Sequence, residues 1–496
     1  MIQSPHGIRY TAHRPVVMGR RGMVCSGNPL ASQAGITILQ KGGNAIDASI
    51  AIASTLNVVE PLMSGIGGDG FILIYNKADN ELKGVNGTGA APYAASRDIY
   101  LESGIPLKGI LSVSVPGLLK AWTEAHQRYG LLNLSDVLET AIDLAENGFP
   151  VSHTVSASIT GDELLREFPT SRAIFTRDGT PLQPGEMLYQ RDLADTFCKI
   201  ARNGSDTFYI GEIGRSIVRF SQQNGGLLTM KDLKDFSVRW EDPIHTTYKG
   251  YTVYEAPPNS SGHILLQELN LVELFDLRSL GCNTAESIHL MVEAKKLAFS
   301  DREAYLADPD FVDVPIPGLL SKEYAKARAS SIDLEQAASN VVAGSPWHYQ
   351  TSQSAIRPNP ISDVSAPKED TTCFTVVDQW GNAVSQLQSL QSAFGSSIVA
   401  GNTGILLNNR MSYWHLDETH VDCLKPGKRV RHTMNPVMVF LESNGTRDLV
   451  LVCGTPGADT QVQTNLQVIT HVLDFGMTVA EAVEAPRWRH LQNHTE

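Results

Sequence analysis

The sequence predicts a large globular protein in which a helix-rich first part is followed by a strand-rich second part. Apolar residues recur at helical spacing between positions 31 and 306, and strand-like alternation begins after position 370. The 496 residues correspond to about three domains or to one large α/β unit. Hydrophobic residues make up 42% of the chain, so an extensive core can form and wholesale disorder is excluded.

Charge and cysteine content narrow the class of protein. The chain has 40 Lys and Arg against 53 Asp and Glu, a net charge of −13, which argues against nucleic-acid and membrane-surface binding. The first 22 residues lack the apolar core of a signal peptide, and no run reaches the roughly 18 apolar residues of a membrane span. The six cysteines include no CxxC pair, so no zinc ribbon or disulfide framework is indicated. We therefore expect a cytoplasmic, reduced protein.

The first elements are helices and one buried strand. Apolar periodicity predicts two buried helices within 31–60, two more within 116–149, and the longest amphipathic helix at 284–306. A glycine run at 64–70 leads into an apolar strand at 71–75. Because this run precedes a strand and no Lys-Ser/Thr follows it, it indicates close backbone packing more than phosphate binding.

The spacing of apolar residues changes from a helical to a strand-like period after a polar segment. Residues 338–370 are rich in Ser, Asn, Gln and Pro, lack periodicity, and are typical of an exposed or mobile segment. Strand patterns follow at 371–377 and 383–390, joined by a turn that contains Gly381. The pattern predicts a β-hairpin in which Gly381 is available for a positive φ.

The hairpin sets a register. If the turn centres on residue 380, Thr371 lies opposite Ser389 with Cβ atoms roughly 4.5–5.5 Å apart, and a bulge would move this pairing by one residue. A glycine-rich turn at 454–458 follows the last strand pattern. Further strands are predicted at 403–408, 435–441 and 448–453.

The common hydrolase motifs are absent, since the sequence contains neither GxSxG nor HExxH. A threonine at the start of a strand is usually only a good β-former. If the Asp370–Thr371 bond were cut, however, Thr371 would gain an α-amine with a pKa near 7.7–8.0. That amine could accept the hydroxyl proton and make Thr371 a nucleophile with its own base. The turn at 454–458 could supply backbone N–H groups to an oxyanion.

Many segments occur together in the order typical of one family. They are GGNAIDASIAIASTLNVVEP, SGIGGDGF, SVPG, EAPPNSSG, HLMVEAKKLAFSDREAYLADPDF, DTTCFTVVDQWGNAVS, FGSSIVAGNTGILLNN and GTPGAD. On these segments the chain resembles the γ-glutamyltransferase family of N-terminal-nucleophile hydrolases, from about residue 22 to 490.

The resemblance implies an α+β fold, a four-layer αββα sandwich, and autocatalytic cleavage between Asp370 and Thr371. Residues 1–370 would form a large subunit of helices and part of the central sheets, ending in a mobile pro-segment at about 338–370. Residues 371–496 would form the small subunit that carries the nucleophile.

The resemblance also implies roles for single residues. By analogy, Thr371 is the nucleophile and its amine the base, and Ser389, where the family commonly has Thr, supports it. Gly457 and Ala458 occupy the family's oxyanion turn, usually a Gly-Gly pair, and the backbone N–H remains when Gly becomes Ala.

The departures from the family concern the substrate. Thr88 replaces an Arg that binds the substrate α-carboxylate, and Tyr413 replaces an Asp that binds its α-amino group. Losing each contact typically costs about 1.5–3 kcal/mol. The pattern is closer to the acylase branch, which includes cephalosporin-acylase-like and oxamate amidohydrolase proteins. The other changed positions near the substrate are Gln391, Arg410, His432 and Thr433.

Arg410 is the new charge at this site. It could bind a simple carboxylate, while a purely structural salt bridge explains it equally well. For His432 a structural role is favoured over a ligand role. Family members usually continue some tens of residues beyond residue 496, so a truncated small subunit is also expected as an alternative.

We therefore expect a self-cleaving amidohydrolase or acylase that acts on a small carboxylate-bearing amide through an acyl-enzyme, without a metal or organic cofactor. The first alternative is true γ-glutamyl hydrolysis or transfer on glutathione. The second is an inactive or truncated homologue. The expected partner is a small-molecule amide or γ-glutamyl substrate, and a homodimer of processed heterodimers is compatible with the family.

Overall fold

The structure is a computed structural model that describes residues 12–350 and 370–491. The strands are β1 Gly22–Cys25, β2 Asp69–Asn76, β3 Glu81–Asn86, β4 Phe149–Pro150, β5 Thr176–Arg177, β6 Thr180–Pro181, β7 Met187–Leu188, β8 Arg239–Glu241, β9 Ile244–Tyr248, β10 Tyr251–Glu255, β11 Asp370–Asp378, β12 Ala383–Gln391, β13 Val437–Ser443 and β14 Thr446–Cys453.

The α-helices are likewise numbered along the chain. They are α1 Pro29–Gln40, α2 Ala45–Val59, α3 Leu118–Tyr129, α4 Leu134–Asn147, α5 His153–Gly161, α6 Glu163–Glu167, α7 Pro169–Phe175, α8 Arg191–Asn203, α9 Asp206–Tyr209, α10 Glu212–Gln223, α11 Met230–Asp235, α12 Gly262–Val272, α13 Leu277–Leu280, α14 Ala285–Tyr305, α15 Ile316–Leu319, α16 Lys322–Ala329, α17 Thr460–Leu473 and α18 Val479–Glu484. Single 3-10 turns lie at Arg97–Tyr100, Ile110–Ser112, Pro346–Tyr349 and Arg410–Tyr413.

Two antiparallel sheets form the centre. The six-stranded sheet has the order β1-β11-β12-β2-β3-β8, and the four-stranded sheet has the order β14-β13-β10-β9. In both sheets, strands from the first 350 residues pair with strands that follow residue 370. The two parts of the chain are therefore interleaved within each sheet.

The side chains of each central sheet alternate between its two faces, and the two faces pack against different layers. Leu73 and Tyr75 of β2 point towards the four-stranded sheet and pack with Phe440 of β13. Their neighbours Ile72 and Ile74 point the other way, into the core shared with α1–α4. The outer face of the four-stranded sheet packs in the same manner on α12, α14 and α17. The order of layers is helix, sheet, sheet, helix, which is the expected αββα arrangement.

Most of the predicted elements are present. The paired helices within 31–60 and 116–149, the strand at 71–75 and the hairpin after residue 370 all form. The predicted strand at 403–408 is wrong: this segment makes only isolated bridges at Leu406 and Leu407. Its backbone turns at Gly404, whose φ is +70° and which lies against α8, so a regular ladder cannot continue.

Two further expectations need correction. The helix at 284–306 is mostly buried, not amphipathic, because it packs against α12 and most of its side chains lie inside. Its Arg302 is buried and paired with Glu303 and Asp459. The segment 338–370 is not wholly exposed, since Trp347 packs against Tyr305. Its later part, 351–369, lies outside the described residues. None of the helices in the described ranges combines the length and apolarity needed to cross a membrane.

The glycine run before β2 packs as the sequence indicated. A Cβ at Gly67 would lie 2.0 Å from the carbonyl oxygen of Leu406, and one at Gly68 would lie 2.2 Å from that of Ser389. Neither glycine has a positive φ, so the reason for glycine here is space and not backbone conformation. The run lets the backbone approach the end of β12 directly.

Replacing Gly68 with alanine should disturb this approach. Because the added Cβ would overlap a backbone oxygen, β12 or the glycine run has to move, and we expect a loss of about 1–3 kcal/mol in the free energy of unfolding. Urea denaturation measures this loss. Gly161→Ala is the control: that glycine is exposed, and no described heavy atom lies within 4 Å of its added Cβ. Equal stability of the two variants would contradict the close approach.

Candidate active site

The β11–β12 hairpin carries the candidate nucleophile. Pairing runs from Thr372 opposite Gln388 down the hairpin in the expected register, and Gly381 has a φ of +86°. At the open end, Asp370 pairs with Gln391, so the register shifts between Asp370 and Thr372. The bulge corrects the prediction that Thr371 lies directly opposite Ser389. Between these two ladder pairs, β11 has one residue, Thr371, and β12 has two, Ser389 and Leu390, so Thr371 lies opposite the bulge.

The Ser389 hydroxyl contacts the peptide bond that precedes Thr371. Its Oγ donates a hydrogen bond to the carbonyl oxygen of Asp370 at 2.7 Å and accepts one from the backbone N–H of Gln391 at 2.8 Å. Thr371 itself is only 2% exposed. The predicted pair is therefore brought together, through the Asp370 carbonyl.

Asp69 is a central residue that the sequence did not identify. It begins β2, pairs directly with Ser389, and is fully buried. One carboxylate oxygen accepts from the Gly89 N–H at 2.9 Å, and the other accepts from Arg410 Nε at 3.0 Å. Burial raises the pKa of Asp69, and the charge of Arg410 opposes that rise. An acidic residue inside a glycine run that opens a buried strand was the available signal.

Arg410 is almost fully buried and lies beside this carboxylate. Its Nε forms the ion pair with Asp69, so the structural salt bridge considered from the sequence is present. Its Nη2 has no hydrogen-bond partner among residues 12–350 and 370–491. Tyr413 lies 5.3 Å from the guanidinium, measured to the ring centroid. The Nε of Arg410 is therefore used in the ion pair with Asp69, while within the described residues its Nη2 is free to donate a hydrogen bond to a ligand.

His432 lies beside the same carboxylate. Its Nε2 lies 3.6 Å from an Asp69 oxygen, and its ring packs edge-on against Phe71 at 5.7 Å. Burial, followed by the charges of Arg410 and Arg429, holds the pKa of His432 well below its ordinary value. The imidazole is therefore neutral at neutral pH. Neither ring nitrogen makes a hydrogen bond within the described part of the chain.

Two more predicted residues present unpaired groups. The side-chain nitrogen of Gln391 and the hydroxyl of Tyr413 are buried and lack hydrogen-bond partners in the described ranges. The Gln391 oxygen is already occupied, because it accepts from the Ser392 hydroxyl at 2.8 Å. Together with Arg410 Nη2, these groups offer donors more than acceptors.

Thr88 and Thr433 are held by their own neighbours. The Thr88 hydroxyl donates to Asn86 at 2.6 Å and accepts from the Asn259 amide at 3.2 Å. Thr433 is buried, and its carbonyl accepts from Asn435 at 3.0 Å. Asn86 and Asn259, which the sequence analysis did not single out, form the amide network around Thr88. The structure therefore places Thr88 beside the site, with its hydroxyl engaged.

The glycine-rich turn joins β14 to α17. Gly454 lies against Cys373, two residues after Thr371, because a Cβ on Gly454 would lie 2.6 Å from the Cys373 sulfur. Further along, Gly457 and Ala458 have φ values of +117° and +54°. For Ala458 this left-handed conformation costs about 1 kcal/mol. The turn therefore starts next to β11 and is held in a conformation that glycine would adopt more easily.

One cluster has the residue types of a metal site. Glu303, His415 and His420 each place a ligand atom within 4.8 Å of the others. Both oxygens of Glu303 are used in ion pairs, with Arg302 and Arg431, each at 2.6 Å. The two imidazole rings stack at 3.5 Å and 10°, so their lone pairs run side by side and do not converge. Ion pairing and stacking explain the cluster, and we assign no metal to it.

The Asp69–Arg410 pair gives a prediction for stability. Asp69→Asn leaves the Arg410 charge buried without its partner, which should lower the free energy of unfolding by about 3–5 kcal/mol. Removing both charges in Asp69→Asn/Arg410→Gln should cost less than the two single changes added together. A double-mutant cycle by urea denaturation measures this coupling. Strict additivity would mean that the two side chains do not interact.

Comparison with known proteins places this site in a family. Residues 31–496 match the family model described as Gamma-glutamyltranspeptidase. The chain is 42% identical over 479 residues to the glutathione hydrolase-like YwrD proenzyme of Bacillus subtilis (strain 168), covering 95% of this chain and 85% of that protein. It is 37% identical over 501 residues to the acylase ACY 1 proenzyme of Pseudomonas sp. (strain SE83), covering 98% and 85%. The crystal structure of cephalosporin acylase from Bacillus halodurans is similar with a TM-score of 0.84 at 34% identity, covering 99% and 87%. The chain therefore belongs to the gamma-glutamyltranspeptidase family.

Proposed function

We propose that this enzyme is a self-cleaving N-terminal threonine hydrolase that acts on an amide or acyl bond of a small carboxylate-bearing substrate. Thr371 is the proposed nucleophile. The observation that carries the proposal is the 2.7 Å hydrogen bond from Ser389 to the Asp370 carbonyl, the carbonyl of the bond to be cut. The relatives named as proenzymes support a precursor that is processed.

Self-cleavage follows from this contact. The Thr371 hydroxyl oxygen attacks the Asp370 carbonyl carbon, the C–N bond breaks, and the hydroxyl proton ends on the new amine. The Ser389 hydroxyl stabilises the negative charge that develops on the carbonyl oxygen. Water then hydrolyses the ester and releases chains of residues 1–370 and 371–496.

In the mature enzyme, the free α-amine of Thr371 serves as the base for its own hydroxyl. The hydroxyl attacks the substrate carbonyl, an acyl ester forms on Thr371, and water or an amine takes the acyl group. The proposed oxyanion donors are the backbone N–H groups of Gly457 and Ala458.

The proposed substrate class follows from three buried groups that lack hydrogen-bond partners in the described ranges. They are donors, from the Arg410 guanidinium, the Gln391 amide and the Tyr413 hydroxyl, and a carboxylate is the ligand that matches donors of these kinds. An α-ammonium group is matched less well, because both oxygens of Asp69 are engaged. We infer an acyl chain that ends in a carboxylate and carries no amino group.

A γ-glutamyl substrate is the competing proposal. It is favoured by the relatives named as glutathione hydrolases, among them the Escherichia coli (strain K12) proenzyme, which is 36% identical over 504 residues. The presence of Tyr413 and Thr88 argues against it, since neither can carry the charge that a free amino acid group requires. Direct substrate comparison separates the two proposals.

Intact-protein mass spectrometry tests the self-cleavage. After incubation at neutral pH we expect two fragments of roughly 40 and 14 kDa, at about 110 Da per residue. The smaller fragment should begin at Thr371. Thr371→Ala should remain a single 54.0 kDa chain, because the attacking hydroxyl is missing.

Ser389→Ala supplies the matched comparison for this experiment. It keeps the nucleophile and removes the donor to the scissile carbonyl, so cleavage should slow by about 100-fold or more. A Thr371→Ala chain that is cut at the same bond, or a wild-type chain that stays intact, would rule out the proposed mechanism.

A pair of amides tests the carboxylate contact. We expect faster hydrolysis of glutaryl-p-nitroanilide than of the uncharged butyryl-p-nitroanilide, by about 10–100-fold in kcat/KM. Arg410→Gln should remove most of this preference, because the charged partner of the carboxylate is lost. The ratio of the two substrates is the readout, so a change in the amount of folded enzyme cancels.

The control for this test is Tyr413→Phe, which removes one unpaired hydroxyl and keeps the charge. It should reduce the preference much less than Arg410→Gln does. If γ-glutamyl-p-nitroanilide is hydrolysed faster than the glutaryl amide, the competing proposal is the correct one.

A further inference from the structure

Asp459 directly follows the proposed oxyanion turn and belongs to an ion-pair network. Arg302 of α14 contacts both of its carboxylate oxygens, through Nη1 to Oδ1 and through Nη2 to Oδ2 at 3.2 Å. Arg302 is only 4% exposed, and its guanidinium lies over the Phe299 ring at 4.4 Å. The geometry is a two-point clamp, which fixes the orientation of Asp459 more strictly than a single contact.

The network continues through Glu303 to Arg431, the residue before His432. Arg302 also pairs with Glu303 at 2.6 Å, and Glu303 pairs with Arg431 at 2.6 Å. Arg431 is next to His432, which borders Asp69. Two cations and two anions thus alternate, and each charge has an opposite charge beside it. Such a buried network has few alternative arrangements, because any displaced member leaves an unpaired charge.

The turn needs support from outside itself. The backbone hydrogen bonds within the turn engage the carbonyl oxygens of Gly457 and Ala458, which accept from the N–H groups of Thr460 and Gln461 at 2.9 and 3.0 Å. These bonds do not hold the N–H groups of residues 457 and 458, which are the proposed oxyanion donors. The left-handed backbone at Ala458 is unfavourable for an alanine. A conformation of this kind persists when surrounding contacts determine it. The Arg302 clamp on the next residue is such a contact.

We propose that Arg302 is a positioning residue for catalysis: by clamping Asp459 it holds the 457–458 turn in the orientation that an oxyanion requires. This inference rests on the proposed function, in which that turn supplies the oxyanion donors. After cleavage, the clamp would join the two subunits, since Arg302 precedes residue 370 and Asp459 follows it.

The clamp should matter for turnover and not for self-cleavage. In the precursor, the carbonyl of the scissile bond is bound by Ser389, not by the turn. A change at Arg302 should therefore slow the mature reaction while leaving the processing rate near its wild-type value. A general loss of structure would slow both steps together.

The experiment compares Arg302→Lys and Arg302→Met with wild-type enzyme on p-nitrophenyl acetate, a probe that needs no carboxylate contact. The rate of ester hydrolysis measured with Thr371→Ala is subtracted as background, and the remaining rate is expressed per mole of processed chain. We expect kcat to fall about 10-fold for Lys, which keeps one contact, and about 100-fold for Met, with KM nearly unchanged. Self-cleavage, followed by mass spectrometry, should stay within about twofold of wild type for Lys.

The matched control is Arg328→Lys. Arg328 of α16 pairs with Asp301, the residue of α14 that precedes Arg302. Its Nη2 lies 3.6 Å from an Asp301 carboxylate oxygen, and it does not contact the turn. It should leave kcat near the wild-type value.

Equal kcat in Arg302→Lys and wild type would overturn the inference. The same would follow from equal losses in Arg302→Lys and Arg328→Lys, or from parallel losses of self-cleavage and turnover. If the wild-type chain neither cleaves itself before Thr371 nor reacts with the ester, the proposed function fails, and the role of Arg302 fails with it. If it is processed but does not turn over the ester, the same comparison of variants is made with glutaryl-p-nitroanilide. An active wild-type enzyme with an unaffected Lys variant would remove only the inference about Arg302.

Discussion

The side-by-side pairing of β11, β12 and β2 is the constraint on which the site depends. It aligns Asp69 directly with Ser389 and brings the Ser389 hydroxyl to the carbonyl before Thr371. A bulge belongs to the same corner: between the Asp370–Gln391 and Thr372–Gln388 pairs, two residues of β12 face the single residue Thr371 of β11. Glycines at 67 and 68 permit the close backbone approach that completes this corner of the sheet.

Charge compensation organises the layer around these strands. Asp69 is balanced by Arg410, and Arg302 is balanced by Asp459 and Glu303, so each of these buried ions has an opposite charge in contact. Buried pairs of this kind contribute little net stability compared with apolar side chains, but they fix positions strictly. Near the Asp69–Arg410 pair, Arg410 Nη2 and the Tyr413 hydroxyl are buried without hydrogen-bond partners in the described ranges, which costs local stability.

Local patterns in the sequence located part of the fold. Helical periodicity located α1–α4 and α14, and period-two alternation with Gly381 located the hairpin and most of its register. The helices α8, α10, α12 and α17 were not predicted. The alternation allowed for a bulge but did not locate it, because both registers fit the same pattern of residues. Asp69 and Arg302 were missed because their partners are 341 and 157 residues away in the chain. Segment order indicated the family, whereas these pairings required the assembled layers.

The interleaved strands bear on the kinetic stability of a cleaved enzyme. In the six-stranded sheet, β11 and β12 lie between β1 and β2, and in the other sheet β13 lies beside β10. Two chains produced by a cut after residue 370 could separate only by breaking ladders in both sheets. Once apart, they would have to find each other again, and their exposed strand edges favour aggregation. Denaturation of the cut form would therefore be irreversible, and its durability would be set by an unfolding rate and not by an equilibrium.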